Sequence, residues 1–595
     1  MGEPPAESPI PPGPPEERLD SWKEIAAHLN RDVTTVQRWE KREGMPVHRH
    51  LHDKRGSVYA LRQELDAWVR SRRPGIGDQA AELLAETPAP GGDESNGPRS
   101  MHRELWVILG AASLLAILAA GYFVVVRPRT RGATRPKIQS LAVLPLKNLS
   151  GDPSQDYLAE GITEALIGRL AGIHDLRVVS RTSVDRFKEP QKSVEEIAKI
   201  LGVDAIVEGS VIREGSRIRV TAQLIRGATD EHLWSETYDR EFRDVLPLES
   251  ELAQSIAKKV EVTVTGEEHE RLKATQAVAP EVYESYLKGM YALHRGNNRA
   301  SVEQGIGYFQ EAIQRDVTFA PAYVGLASGY SELGTVFIGS PAAEMRPKVV
   351  NAARRALELD PNLVEAHLLL AGVQQEEWHW ADAEAEYRRA LELNPNNANA
   401  HYGLAFWLLC QGRTEEALTW ARRGRELDPI VVSGGSIGDI LFYSHRYEEA
   451  IHEFRSSLAV EPEDAGALWG LGFALIAQDQ ADDAIPVLEK ALSISKRSPA
   501  VTGVLIRAYA HAGRRGDALK LLEELKERRS AGYVPAGAFV NAYLGLGEKE
   551  EAFVWLEQAY QEQSNILQFV RVHPAFDAIR GDARFVELVR RVGVG

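Results

Sequence analysis

The chain has 595 residues, of which 44% are apolar and 26% charged, and a net charge of −15. Its length exceeds what one core can organise and implies three to five folded units, while the acidic balance excludes a protein that coats nucleic acid with its whole surface. The one cysteine, Cys410, excludes any internal disulfide or multi-cysteine metal site. Its apolar, helical setting predicts a buried structural thiol.

Residues 1–17 are acidic and rich in proline and read as a disordered tail. They lack a basic segment followed by an apolar run, so they do not read as a signal peptide. Residues 18–73 carry thirteen Lys/Arg against eight Asp/Glu, a local surplus of base. Ser21 and Glu24 have capping-box spacing, and Trp22, Ile25, Ala26 and Leu29 fall on one helical face. After a turn at 30–32, with Asp32 placed to cap, a second helix over about 33–43 buries Val36 and Trp39 and ends at Gly44. Gly56 marks a turn between two extended pieces, a basic hairpin or wing. A helix over about 61–72 buries Leu61, Leu65, Trp68 and Val69.

Two short helices and a tight turn, the second helix polar and basic outside, are the helix-turn-helix arrangement. The segments SWKEIAAHLNRDVTTVQRWEKREGMPVHRH and GSVYALRQELDAWV resemble the winged helix-turn-helix of the MerR/excisionase group. The likeness covers nearly the whole unit and implies double-stranded DNA as partner. On that reading Thr34, Thr35, Gln37 and Arg38 face base edges, and Lys41, Arg42, Arg49, Lys54 and Arg55 meet phosphates. His48, His50 and His52 alternate along the wing, where they would share a face. With no fourth ligand nearby they point to phosphate or groove contacts, His48 foremost, rather than to metal. The alternative is a small three-helix unit with a solvated basic face that binds protein.

Residues 74–104 read as a flexible linker. Residues 105–126 are uncharged, with Trp106 and Tyr122 near the ends. At a helical rise of about 1.5 Å per residue they reach roughly 33 Å, enough for one transmembrane helix. Ala112, Ala116 and Ala120 form a small-residue ladder that would let two copies pair as a homodimer. Five basic residues at 127–137 would place the C-terminal half inside by the positive-inside rule. A DNA-binding unit belongs inside, so the expectation is an inner-membrane protein of a bacterium with its N-terminal domain cytoplasmic and its C-terminal region periplasmic.

Residues 138–270 predict an α/β domain with strands at 138–146, 176–179, 205–211 and 218–225 and helices at 157–170 and 194–201. The stretch LAVLPLKNLSGDPSQDYLAEGITEALIGRLAGIHDLRVVSRTSV resembles a TolB-like amino-terminal domain, which implies no catalytic role. From 280 to 572 the chain repeats. Asp360-Pro361, Asn394-Pro395 and Asp428-Pro429 lie 34 residues apart, and Glu461-Pro462 follows 33 later. Small residues (Ala371, Ala383, Ala390; Ala405, Ala417, Gly424) and large ones (Tyr387, Phe454) recur between them. This is the tetratricopeptide period, with about eight helix pairs stacked into a solenoid. Such arrays leave a concave surface, which predicts a protein or peptide partner. Residues 334–348 stretch one repeat, and 573–595 read as a capping helix.

The fold class expected is therefore multidomain and mainly α: winged helix-turn-helix, one transmembrane helix, a TolB-like α/β domain and an α-solenoid. No phosphate-binding loop, His-Glu-x-x-His or Gly-x-Ser-x-Gly signature is present, so no catalytic, cofactor or metal residue is assigned. The layout is similar to that of CadC/ToxR-type regulators, which join a DNA-binding domain to a sensor. The rival reading is a membrane-tethered repeat scaffold whose N-terminal unit binds protein.

Overall fold

The computed structural model describes residues 18–19, 21–29, 33, 36–37, 39–40, 45–49, 58–71, 137–188, 192–273, 278–295, 298–335, 340–430 and 434–594. They belong to two compact units, 1–129 and 130–595.

In the first unit, Arg18–Leu19 (β1), His48–Arg49 (β2) and Val58–Leu61 (β3) form an antiparallel sheet in the order β1-β3-β2. His48 faces Tyr59 and Arg49 faces Val58 across the hairpin, as the wing predicts. β1 was not foreseen, because two residues carry no periodicity. Trp22–His28 (α1) starts at Ser21, whose hydroxyl accepts the Glu24 N–H at 3.3 Å. The second helical stretch is described at Val33, Val36, Gln37, Trp39 and Glu40, all helical. Arg62–Ser71 (α2) closes the unit. Ile25, Val36, Ala60 and Leu65 are fully buried at its centre, and Trp39 meets Trp68 at 5.6 Å between ring centroids.

The transmembrane helix is corrected. Among the described residues no helix is long and apolar enough to cross a membrane. The run 105–126 itself, with its alanine ladder, the linker before it and the basic residues at 127–135, lies outside the described residues, as does the tail 1–17. What misled is that length and apolarity alone define a candidate span, whatever the rest of the chain does. The single-pass inner-membrane placement and the two-sided arrangement built on it fall with that helix.

In the second unit, Ser140–Val143 (β4) pairs in parallel with Arg177–Val178 (β6) and with Ala205–Glu214 (β7), and Lys147–Asn148 (β5) also runs parallel to β7. From β7 the sheet continues antiparallel through Arg217–Arg226 (β8) to Glu231–Glu241 (β9). Gly215, at φ +60°, makes the β7–β8 turn. At Gly209 a Cβ would lie 2.1 Å from the Thr221 carbonyl, so the strand tolerates only glycine there. β9 was missed because it buries only Trp234 and Tyr238, four residues apart, and so lacks alternation. The helices are Asp156–Ala171 (α3), Arg181–Asp185 (α4), Val194–Leu201 (α5), Val245–Val260 (α6) and Gly266–Lys273 (α7). Asp204 ties the starts of β4 and β7, accepting both backbone and hydroxyl hydrogens of Ser140 at 3.0 and 2.8 Å.

Sixteen helices, eight antiparallel pairs, follow among the described residues: Pro280–Arg295 (α8), Arg299–Arg315 (α9), Ala320–Leu333 (α10), Ala342–Leu359 (α11), Val364–Glu376 (α12), Trp380–Leu393 (α13), Ala398–Cys410 (α14), Thr414–Leu427 (α15), Gly434–Tyr443 (α16), Tyr447–Val460 (α17), Ala465–Ala477 (α18), Ala481–Ile494 (α19), Pro499–His511 (α20), Arg515–Ala531 (α21), Ala536–Leu546 (α22) and Lys549–Gln561 (α23). The repeated Asp/Asn-Pro has a local cause. Asp360, Asn394 and Asp428 each end a helix in extended conformation, and each side-chain oxygen takes the N–H two residues on, at 3.0, 3.0 and 3.2 Å. The intervening proline has no N–H to satisfy. Between pairs, aromatic rings fill slots cut by glycine. A Cβ on Gly403 would sit 2.3 Å from the Tyr387 ring. The 34-residue repetition of small and large positions is therefore the stacking itself.

Candidate functional site

The first unit brings few of the expected DNA-contact residues into view. Gln37 is helical and half-buried, and Arg49 lies in β2. His48 is not a free wing residue: its Nε2 sits 2.8 Å from Glu64 Oε2, and its ring stacks on Tyr59 at 5.1 Å. It therefore links β2 to α2, a role that Glu64 and Tyr59 reveal only once the hairpin is paired. Thr34, Thr35, Arg38, Lys41, Arg42, Lys54 and Arg55 lie outside the described residues, as do His50 and His52. Among the described residues no group of three or more His, Cys, Asp or Glu could hold a metal ion.

The repeats return to the α/β domain that precedes them. The backbone N–H of Ser180 and the hydroxyl of Ser183, at the start of α4, donate to the carboxylate of Asp428 at 2.8 and 2.5 Å. Arg177 in β6 donates to the carbonyl of Leu427 at 2.7 Å and also bonds the Gly202 carbonyl, so a cation meets the negative end of α15. Asn396 donates to the His174 carbonyl at 2.8 Å, and Arg186 pairs with Glu461 at 3.1 Å. Three successive inter-repeat turns thus dock on residues 174–186. Asp428 is 1% exposed. The sequence marks it as repeat punctuation; nothing local signals that it also holds a helix some 250 residues earlier.

A second contact binds α6 to the first repeat helix. Tyr283 in α8 donates to Glu249 Oε1 at 2.5 Å, and Arg169 stands 4.0 Å from Oε2. Burial pushes the Glu249 carboxyl up to about 8, against the smaller opposing pull of the Tyr283 hydrogen bond and the Arg169 charge.

The array was expected to leave a concave surface for a partner. The first helices of its third to sixth repeats hold the chain's own C-terminal segment. Gln375 in α12 donates to Gln568 at 3.0 Å, Tyr443 in α16 stacks on Phe569 at 4.6 Å, and Phe406 in α14 meets the same ring edge-on at 5.9 Å. Phe442 and Phe473 close around His573 at 5.7 and 5.3 Å. Burial, with Arg507, Arg580 and His445 nearby, drives the His573 imidazole down to about 3. Residues 574–579 form a 3-10 turn and Ala583–Val592 (α24) is the terminal helix, so the expected capping helix is shorter than 573–595. Trp380 donates to the Val592 carbonyl at 3.1 Å. Cys410 is fully buried, as expected, and its thiol is pushed far up by burial.

Residues 137–258 match the family described as HilA/YgeH-like transcriptional regulator, second domain, where the sequence had suggested a TolB-like domain. Residues 386–419, 436–501 and 475–534 match tetratricopeptide repeat families, so the solenoid is a tetratricopeptide array. A Rhizobium meliloti (strain 1021) protein named "Putative adenylate cyclase 3" is 32% identical over 243 residues, 40% of this chain and 40% of that protein. The chain thus spans about 40% of the length of that relative. Among solved structures, TTC0263, a thermophilic TPR protein of Thermus thermophilus, is 15% identical with a TM-score of 0.28, covering 33% of this chain and 99% of that one. The human IFIT1 dimer with PPP-AAAA is 18% identical with a TM-score of 0.34, covering 54% and 79%.

Proposed function

We propose that this chain is a transcriptional regulator that binds double-stranded DNA through residues 18–73 and a protein or peptide partner through its repeats. The observation that carries the reading is the transcriptional-regulator match over residues 137–258, on the same chain as a compact N-terminal unit of helix, helical stretch, antiparallel hairpin and helix. A short helix joined to a second one with a basic exterior is suited to major-groove entry, and a hairpin beside it to the backbone. In this reading Thr34, Thr35, Gln37 and Arg38 read bases, and Lys41, Arg42, Arg49, Lys54 and Arg55 contact phosphates. His48 supports the wing through Glu64. The action is non-catalytic, and the activity in the name of the Rhizobium protein is not carried over.

Because the chain's own C-terminal segment already occupies the first helices of repeats three to six, the partner docks on repeat surface outside that stretch. The test is selection of preferred duplexes from a random pool by the full-length chain. A shared motif should emerge, and Arg38→Ala should lose about 5- to 150-fold in affinity for it while relaxing one position, the effect of deleting a bidentate base contact. A pool that shows no enriched motif, or an Arg38→Ala protein that selects the same one equally well, overturns DNA reading by this unit and favours a protein partner for it.

A further inference from the structure

A cleft of about 810 Å³ opens where the α/β domain meets the first repeat. Its floor and walls come from the start of α3, the end of β7, and the facing sides of α8 and α9. Tyr291 and Tyr308 supply ring surface, the buried Tyr157 lies beneath them with its hydroxyl held by Glu284 and Arg213, and Arg213, Lys288 and Arg295 supply positive charge. We propose that this cleft binds a small organic anion with a planar ring, of the size and chemistry of a nucleoside monophosphate.

Charge is the first argument. On a chain of net charge −15, three cations line this space against one carboxylate, Glu284. That carboxylate is already engaged, accepting from the Tyr157 hydroxyl at 2.7 Å and from Lys288 at 3.1 Å. Arg213 in turn donates to the Tyr157 hydroxyl at 2.8 Å, so the floor of the cleft is tied in place by a continuous set of hydrogen bonds. Arg295 has no carboxylate partner among the described residues; it donates to the Tyr291 hydroxyl, with its guanidinium 5.3 Å from that ring's centroid. Lys288 and Arg213 share Glu284, at 3.1 and 3.6 Å, so a phosphate would give Arg295 an anion of its own and balance the remaining charge of the cluster.

Size and surface are the second. An inorganic ion would leave most of the cleft empty, whereas 810 Å³ falls in the range of small-molecule sites. Tyrosine rings beside cations offer faces for a flat heterocycle as well as charge for its phosphate. Gln304 and Ser301 on α9 add neutral polar groups suited to ring or sugar edges. The walls belong to both the α/β domain and the repeats, so an occupant touches both and reports its presence as a tighter joint.

The experiment is isothermal titration of the full-length chain, without DNA, with AMP, GMP and UMP, and with adenosine and inorganic phosphate as the separated halves. The absence of DNA makes the outcome independent of the DNA-binding reading. At least one monophosphate should bind at millimolar concentration or below and raise the melting temperature in step with its saturation. Adenosine and phosphate should each bind at least about 10-fold more weakly, and Arg295→Ala and Tyr308→Ala should each cost about 10-fold while the unliganded proteins melt as wild type does. No binding of any monophosphate at about 5 mM overturns the proposal. So do phosphate binding as tightly as the nucleotides, and affinity unchanged in both variants.

Discussion

Replacing Glu249 with glutamine should stabilise the protein at high pH and leave it nearly unchanged at low pH. The carboxyl is 1% exposed, its Oε1 takes the Tyr283 hydroxyl at 2.5 Å, and its Oε2 has no hydrogen-bond partner. Burial raises its pKa from 4.5 to about 8. The folded state therefore binds the proton more tightly than the unfolded state does. That contribution is fully present below pH 4.5, is lost as pH rises toward 8, and is gone above it. With about 1.4 kcal/mol for each pH unit of separation, the loss is on the order of 3–5 kcal/mol. Glutamine keeps an acceptor for Tyr283 and carries no charge to desolvate. At about 2 cal/mol/K per residue, a unit of this size has an unfolding entropy near 1 kcal/mol/K. The gain at pH 9 should then be about 3–5 °C in melting temperature, shrinking to within about 1 °C at pH 5. Thermal unfolding of both proteins at pH 5, 7 and 9 measures it. A difference that stays constant over that range would refute the reasoning, since only titration of this carboxyl makes the two curves diverge.

Asp428→Ala removes the acceptor for the Ser180 N–H and the Ser183 hydroxyl, leaving polar groups at a buried joint unsatisfied. A cost of about 1–3 kcal/mol is expected, seen as faster amide exchange confined to residues 180–186 and the turn after α15; unchanged exchange there would mean the repeats do not hold α4. His573 is held neutral by burial, its pKa depressed from 6.5 to about 3, so the sign is opposite to that of Glu249. Its contribution is present above pH 6.5 and lost as pH falls toward 3. His573→Gln should melt below wild type at pH 7, from lost ring packing, by a gap that narrows toward pH 4. A gap that holds steady would place the histidine's charge outside the account.

The repeats were legible because their signal is local and periodic. A helix that ends on Asp or Asn before proline recurs every 34 residues whatever lies elsewhere in the chain, and an aromatic ring in a glycine slot, Tyr387 at Gly403, returns as Phe454 at Gly470. The strand β8 was legible for the same reason, alternating along a half-buried sheet, and β7 as a short apolar run across a turn from it. β9 was not, since an edge strand with two buried rings four apart mimics no strand pattern. The contacts that bind the second unit together were also hidden. Asp428 on Ser180 and Phe569 on Tyr443 join residues more than 120 apart, and periodicity carries no information about where a solenoid returns. In the first unit, α1 and the hairpin were foreseen, and His48 was expected to make a phosphate or groove contact. Its pairing with Glu64 depends on a strand and a helix sixteen residues apart meeting in space.

The salt dependence of binding between the full-length chain and duplex DNA tests the central claim most directly. Five cations, Lys41, Arg42, Arg49, Lys54 and Arg55, are assigned to phosphates. At about 0.9 released counterions for each phosphate neutralised, a plot of log affinity against log salt should fall with a slope of about −4 to −5 per chain, and Arg42→Ala should reduce it by about 1. A slope near zero, or no binding to duplex at about 50 mM salt, would contradict the assignment of residues 18–73 to DNA.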